Sequence, residues 1–239
     1  MPTPCDGRAE MPEKREAIYE RAGMDDRFGY GHTPAVIAVD FQRGMTDPEN
    51  PLGARLDGMI AANNRLVETA HERGVPVVWT RVVYTHPEAA DGGIWPEKIE
   101  PLKTLQSGSR WVELDDRCAV AEGDHVLEKK HASAFHGTEL DSMLTAQGID
   151  TAIVTGCTTS GCGRASVIDA CANGYRVVVP EECVDDRSED QHDANLYDMD
   201  AKYADVRPTD EVIAYLEENL GDGTESGGKR EERASGGNE

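Results

Sequence analysis

Residues 151–180 read TAIVTGCTTSGCGRASVIDACANGYRVVVP, and they hold a complete strand–helix–strand unit. Thr151–Thr155 is a short apolar run, as expected of a strand buried on both faces. Gly161–Asn173 is helical and stops at Gly174, which suits the left-handed position after a helix end. Tyr175–Pro180 is the next strand. Working outward, Ala35–Val39, Val75–Thr80 and His125–Glu128 read as three earlier strands. Leu56–Glu72 and Glu139–Gln147 read as helices that end before Gly74 and Gly148. Beyond the unit, Asp190–Tyr203 and Thr209–Asn219 are helical, with a short strand near Ala204–Arg207. Strands alternating with helices predict an α/β fold, a parallel sheet covered on both faces in three α/β/α layers.

The ends differ in character. Residues 1–12 are polar and Pro-rich, and Glu13–Met24 reads as a helix with Pro12 at its first turn. Gly221–Glu239 has no large apolar residue and is expected to be disordered. The chain therefore divides into an N-terminal extension (1–26), one domain (27–220) and a tail (221–239).

The 239 residues carry 46 Asp+Glu against 24 Lys+Arg, a net charge of −22. Such a surface repels nucleic acid and anionic membranes, so neither is an expected partner. Only 7 of the basic residues are Lys. A carboxylate-rich, Lys-poor surface resembles that of proteins from salt-loving organisms, where a Debye length of about 3 Å at molar salt screens self-repulsion. No apolar run reaches the ~18 residues of a membrane span. The N-terminus lacks an apolar signal core, and the expected location is cytoplasmic. The six Cys form no CxxC and no Cys/His zinc pattern, so no metal or other cofactor is expected.

In a parallel α/β sheet, ligands bind beyond the carboxyl ends of the strands. Asp40 follows the first strand, as a turn residue or as a carboxylate at a catalytic edge. Lys129 follows the third, beside Lys130, as a solvated pair or as a placed cation. Cys162 lies between the fourth strand and a helix, where the helix end lowers a thiol pKa and free N–H groups hold an oxyanion. Cys157 in the same turn competes for the nucleophile's place. A catalytic thiol there is expected to label fast with iodoacetamide at neutral pH. Arg187 follows the fifth strand, as a salt-bridge partner of Asp185 or Asp186 or as a clamp for a ligand carboxylate. His32, His86, His131, His136 and His192 have no metal-ligand spacing and read as loop or satisfied polar residues.

Together these residues resemble the isochorismatase-like cysteine hydrolases. The stretches that carry the likeness are Lys129-x3-Ser133-Ala-Phe135, Val154-Thr-Gly-x-Thr-Thr-Ser-Gly-Cys162 and Glu182-Cys-Val-Asp-Asp-Arg187. The segment from His192 to Val206 and the loop Asp91-Gly-Gly-Ile-Trp95 resemble one amidase branch of that family. The resemblance implies a Rossmann-like fold with six parallel strands ordered 3-2-1-4-5-6. It also implies an Asp40–Lys129–Cys162 triad and a cis Cys157–Thr158 bond. The oxyanion hole would be made by the N–H groups of Thr158 and Cys162. Arg187 would bind the substrate carboxylate, and Thr159 would orient nearby polar groups in the substrate site. Gly163 departs from the apolar residue usual at that place. The metal pattern of the nicotinamidases is not matched after the second strand.

The implied function is hydrolysis of a small amide or ureido carboxylate through a Cys-linked acyl-enzyme. N-carbamoylsarcosine is the first expected substrate; maleamate or a nicotinamide-like amide is the alternative. A ligand-binding module of the same fold is the non-enzymatic alternative. The resemblance also implies a homo-oligomer, a dimer or a tetramer.

Overall fold

The computed structural model describes residues 15–24 and 26–219. The loose segment 1–12, Pro12 and the tail 221–239 lie outside the described residues. In chain order the elements are α1 (Arg15–Arg21), β1 (Pro34–Val39), α2 (Arg43–Thr46), α3 (Asp57–Glu72), β2 (Val77–Val82) and α4 (Trp95–Lys98). Then follow β3 (His125–Lys129), α5 (Leu140–Ala146), β4 (Thr151–Cys157), α6 (Arg164–Ala172), β5 (Arg176–Pro180), β6 (Val184–Asp185), α7 (Glu189–Lys202), β7 (Asp205–Arg207) and α8 (Thr209–Asn219).

β1 lies inside the sheet, paired on both sides and buried at every residue. Its side chains alternate between two cores, as a period of two requires. Val36 and Ala38 pack with Met59, Leu66 and Val67 of α3 and with Val212 and Leu216 of α8. Ala35, Ile37 and Val39 pack with Leu140 and Leu144 of α5, Val167 of α6 and Met199 of α7. This is the expected three-layer arrangement.

The sheet is parallel throughout and runs β3-β2-β1-β4-β5-β7, with β6 also paired to β4. The expected order of six holds, with the strand near Ala204–Arg207 at the far edge. The seventh strand corrects the count. β5 ends at Pro180, a turn follows over Glu181–Cys183, and Val184–Asp185 rejoins β4 opposite Gly156 and Cys157. Two residues are too few to show a strand pattern.

Local chemistry explains the shifted boundaries. The Val75 N–H closes the end of α3 on the Ala70 carbonyl, and Pro76 has no N–H, so β2 starts at Val77. β4 continues to Cys157 because Gly156 adopts φ +102 beside Val39, where an added Cβ would lie 2.0 Å from the Val39 oxygen. Gly174 takes the expected left-handed φ of +93 after α6. The helix expected from Gly161 starts instead as a π turn over Thr159–Gly163, and α6 proper begins at Arg164. Among the described residues no helix is long and apolar enough to cross a membrane.

Candidate active site

The sheet register brings three strand ends together. Val39 lies opposite Thr80 and Gly156, and Val82 lies opposite Lys129. Asp40 follows directly on β1 and is fully buried. Its φ of +57 places a non-glycine residue in the left-handed region, a cost of about 1–3 kcal/mol that marks a site held by its surroundings. Those surroundings are visible. The Asp40 N–H donates to the Thr80 carbonyl at 3.0 Å, and the Thr80 hydroxyl donates to Asp40 Oδ1 at 2.9 Å.

Lys129 Nζ donates to Asp40 Oδ2 at 2.8 Å, to the His131 carbonyl at 3.0 Å and to the Ala132 carbonyl at 2.8 Å. Three bonds occupy the three ammonium hydrogens. Both side chains of the pair are 0% exposed. Burial works against the Lys129 charge, yet attraction to Asp40 and Cys162 outweighs it and raises the pKa. Lys129 is therefore a fixed cation. Lys130, its neighbour, has a different partner: Nζ pairs with Asp91 at 3.1 Å, which ties the Asp91–Trp95 loop to the end of β3.

The nucleophile turn follows β4. The Cys157–Thr158 peptide bond is cis, as the resemblance implies. The Gly161 and Gly163 N–H groups both donate to the Thr158 carbonyl, at 2.9 and 3.0 Å. A side chain at Gly163 would press on that same carbonyl, with its Cβ 3.0 Å away. Cys162 is 5% exposed and interacts with both Asp40 and Lys129. Burial pushes its thiol up to about 12, with Lys129 pulling the other way. The direction is opposite to the lowered thiol pKa expected from the helix end, and its largest cause is burial. Cys157 differs in its contacts. Its thiol donates to the Asp40 carbonyl at 3.2 Å, and burial holds its pKa well above the usual value.

Thr158 is buried beside the turn. Thr159 lies in the same turn. It is fully buried, and Oγ1 is hydrogen-bonded to His192 Nδ1 at 2.8 Å, a contact in keeping with the expected orienting of nearby polar groups. The pairing of β6 with β4 carries Arg187 to the flank of this turn. Arg187 is exposed, and its guanidinium bonds neither neighbouring carboxylate: Nε and Nη2 donate to the Leu52 carbonyl at 2.9 and 2.6 Å, while its backbone N–H donates to Asp186 Oδ1 at 2.8 Å. Asp186 instead accepts the Ser160 N–H at 2.7 Å and fixes the turn.

Three supporting residues escaped the sequence reading. Thr80 was hidden in an apolar strand, where a buried hydroxyl at the strand end was its signal. Ser166 accepts the Ala134 N–H at 2.9 Å and donates to the Cys162 carbonyl at 2.7 Å. Asp186 was read only as a partner for Arg187. Two open clefts, of about 620 and 710 Å³, lie along α7 and beside α3, and neither is lined by Asp40, Lys129 or Cys162. Among the described residues no group of three or more His, Cys, Asp or Glu is placed to hold a metal ion.

Comparison with known proteins gives a consistent picture. Residues 34–211 match the isochorismatase domain. The chain is 43% identical over 213 residues to an N-carbamoylsarcosine amidase of Arthrobacter sp., covering 87% of this chain and 80% of that protein. It is 42% identical over 193 residues to a maleamate amidohydrolase of Pseudomonas putida, covering 80% and 90% respectively. Its fold is similar to the crystal structure of a cysteine hydrolase from Pseudomonas syringae pv. phaseolicola, with a TM-score of 0.75, 22% identity, and coverage of 81% of this chain and 97% of that one.

Proposed function

This chain belongs to the isochorismatase family of hydrolases, and on that premise we propose that it is a cysteine amidohydrolase acting on a small amide or ureido compound that carries a carboxylate. N-carbamoylsarcosine is the preferred substrate, in line with the relative at 43% identity, and maleamate is the second. The observation that carries this reading is the sealed Asp40–Lys129 pair with the Cys162 thiol against it.

The geometry sets the order of events. Burial and the neighbouring Asp40 carboxylate raise the Cys162 pKa, so the thiol rests neutral at pH 7 and pre-forming the thiolate is unfavourable. Proton removal therefore accompanies attack. Asp40 takes the Cys162 proton as the sulfur bonds to the substrate carbonyl carbon. Lys129, with all three hydrogens engaged, stays charged and offsets the negative charge as it passes between carboxylate and sulfur. The N–H groups of Thr158 and Cys162 hold the oxyanion, a contribution of about 3 kcal/mol per donor. Asp40 returns the proton to the departing nitrogen, which leaves as ammonia. Water, deprotonated by Asp40, then cleaves the thioester of an amide substrate or the thiocarbamate of a ureido one, and the proton returns to sulfur to free the thiol. With N-carbamoylsarcosine the released N-carboxy product breaks down to sarcosine and carbon dioxide. Arg187 holds the substrate carboxylate throughout.

The test is ammonia release in molar KCl with N-carbamoylsarcosine, maleamate and nicotinamide in parallel, and Cys162→Ala as control. Selective turnover of N-carbamoylsarcosine is expected. Selective turnover of maleamate keeps the mechanism and changes the substrate. Full activity in Cys162→Ala overturns the nucleophile, and silence on all three overturns the substrate class.

A further inference from the structure

Arg187 presents five N–H donors in a planar fork. Nε and Nη2 share one edge of that fork, and both donate to the Leu52 carbonyl. The end-on edge, Nη1 with the second hydrogen of Nη2, is the pair left to meet a carboxylate in two parallel bonds. What holds the Leu52 carbonyl therefore decides where that edge points.

The Leu52 carbonyl sits in a tight turn between α2 and α3. Asn50 is 1% exposed and organises this turn. Its Oδ1 accepts the Leu52 N–H at 2.9 Å, and its Nδ2 donates to the Thr104 hydroxyl at 3.0 Å. That hydroxyl donates in turn to the Pro101 carbonyl at 2.8 Å. The Asn50 N–H donates to the Asp47 carbonyl at 3.0 Å, and the Asn50 carbonyl accepts the Gly53 N–H at 2.8 Å. Gly53 is required by the same turn, since a Cβ there would lie 1.9 Å from the Asp47 oxygen. The Leu52 side chain is packed into the core beneath. Both sides of Leu52 are thus fixed, and the route runs Thr104–Asn50–Leu52–Arg187 across 135 residues of sequence separation.

We propose that Asn50 is a specificity-determining positioning residue, which sets the Leu52 carbonyl so that Arg187 presents its end-on edge to the substrate carboxylate. The inference rests on the reading of Arg187 as the carboxylate anchor. A pre-set guanidinium loses less side-chain freedom when substrate binds. The effect falls on binding and leaves the sulfur chemistry alone.

The experiment is a double-variant cycle with N-carbamoylsarcosine, reading KM and kcat separately. Asn50→Ala is expected to raise KM about three- to tenfold, the value of one freed polar side chain, with kcat little changed. Asn50→Ser, which keeps an acceptor for the Leu52 N–H, is expected to recover most of that loss. Thr104→Val removes the hydroxyl's bonds to Asn50 Nδ2 and the Pro101 carbonyl but keeps the Asn50–Leu52 bond, and serves as the milder variant should Asn50→Ala not fold; it is expected to raise KM in the same direction. Arg187→Ala raises KM further, and Asn50→Ala or Thr104→Val added to it changes nothing more. If Arg187→Ala raises KM while the Asn50 and Thr104 variants do not, the proposal falls and the anchor stands. If these variants raise KM equally with and without Arg187, their role is merely structural and the proposal falls. If Arg187→Ala leaves KM unchanged, the anchor reading itself falls.

Discussion

Removing one partner of the Asp40–Lys129 pair should cost far more stability than removing both. The pair is separated by 2.8 Å, and both side chains are fully buried. At an effective dielectric of ~20, the attraction at that distance is about 6 kcal/mol. Desolvation costs several kcal/mol per ion, so the intact pair stands close to break-even. Asp40→Asn leaves a buried ammonium with neutral acceptors and no counter-charge, and Lys129→Met leaves a buried carboxylate with the Thr80 hydroxyl and no counter-charge. Each single change is expected to cost ~3–5 kcal/mol, a large part of the ~5–15 kcal/mol that holds a domain folded. The double variant removes both charges and should lie within about 2 kcal/mol of the wild type. The coupling would then exceed about 3 kcal/mol, at the top of the range for residues in contact. The assay is urea unfolding at constant KCl and constant protein concentration, followed by tryptophan fluorescence, with ammonia release on each variant. All three variants should be inactive. Single changes that each cost under ~1 kcal/mol and simply add would refute the reading of a closed charged pair.

Thr80→Val keeps the shape but removes the donor to Asp40 Oδ1; stability should fall by ~1–3 kcal/mol and kcat by more than KM changes, whereas wild-type kinetics would remove Thr80 from the site. Iodoacetamide labelling read by peptide mass spectrometry should find part-exposed Cys171 ahead of Cys162 at pH 7.5, with Cys162 still gaining rate at pH 10, because burial holds its thiol near 12. A plateau at Cys162 near pH 8 would contradict that. Asp115 is held below the usual carboxylate range by Arg117, and Asp91 and Asp150 are held low by donated hydrogen bonds despite burial. Folded values depressed in this way stabilise the fold above the unfolded value of ~3.9, and that contribution is lost progressively as pH falls from there through the lower folded values, so Tm should drop below about pH 5 and go on dropping. Asp115→Asn should lower Tm at pH 7 and flatten that slope; an unchanged slope counts against it. The net charge of −22 should make Tm rise from low salt to molar KCl, and a flat response would defeat the reading of a salt-adapted surface.

β1, β4 and β5 were legible because each is a short apolar run. A strand buried on both faces has no other composition open to it. Sheet order and the triad came from the resemblance, since nothing in the spacing of Asp40 and Lys129 requires contact across 89 residues. β6 was illegible at two residues, as were the short helical turns of the segment between β2 and β3. Thr80 and Ser166 were illegible for a different cause. A single hydroxyl in a buried strand or helix looks the same whether it fills space or holds a carboxylate.

The sequence by itself determined that the longer strands form and that Asp40, Lys129 and Cys162 each lie at or just past a strand end, because periodicity and turn chemistry are local. Only the tertiary structure decided their state. Whether Cys162 rests as thiol or thiolate depends on how completely the turn is shut from water, and Lys129 stays charged only because Asp40 and two carbonyls surround it. Where Arg187 points depends on a carbonyl 135 residues away. Burial and the partners that compensate it are properties of the packed chain, and they set the charge on every group that the chemistry uses.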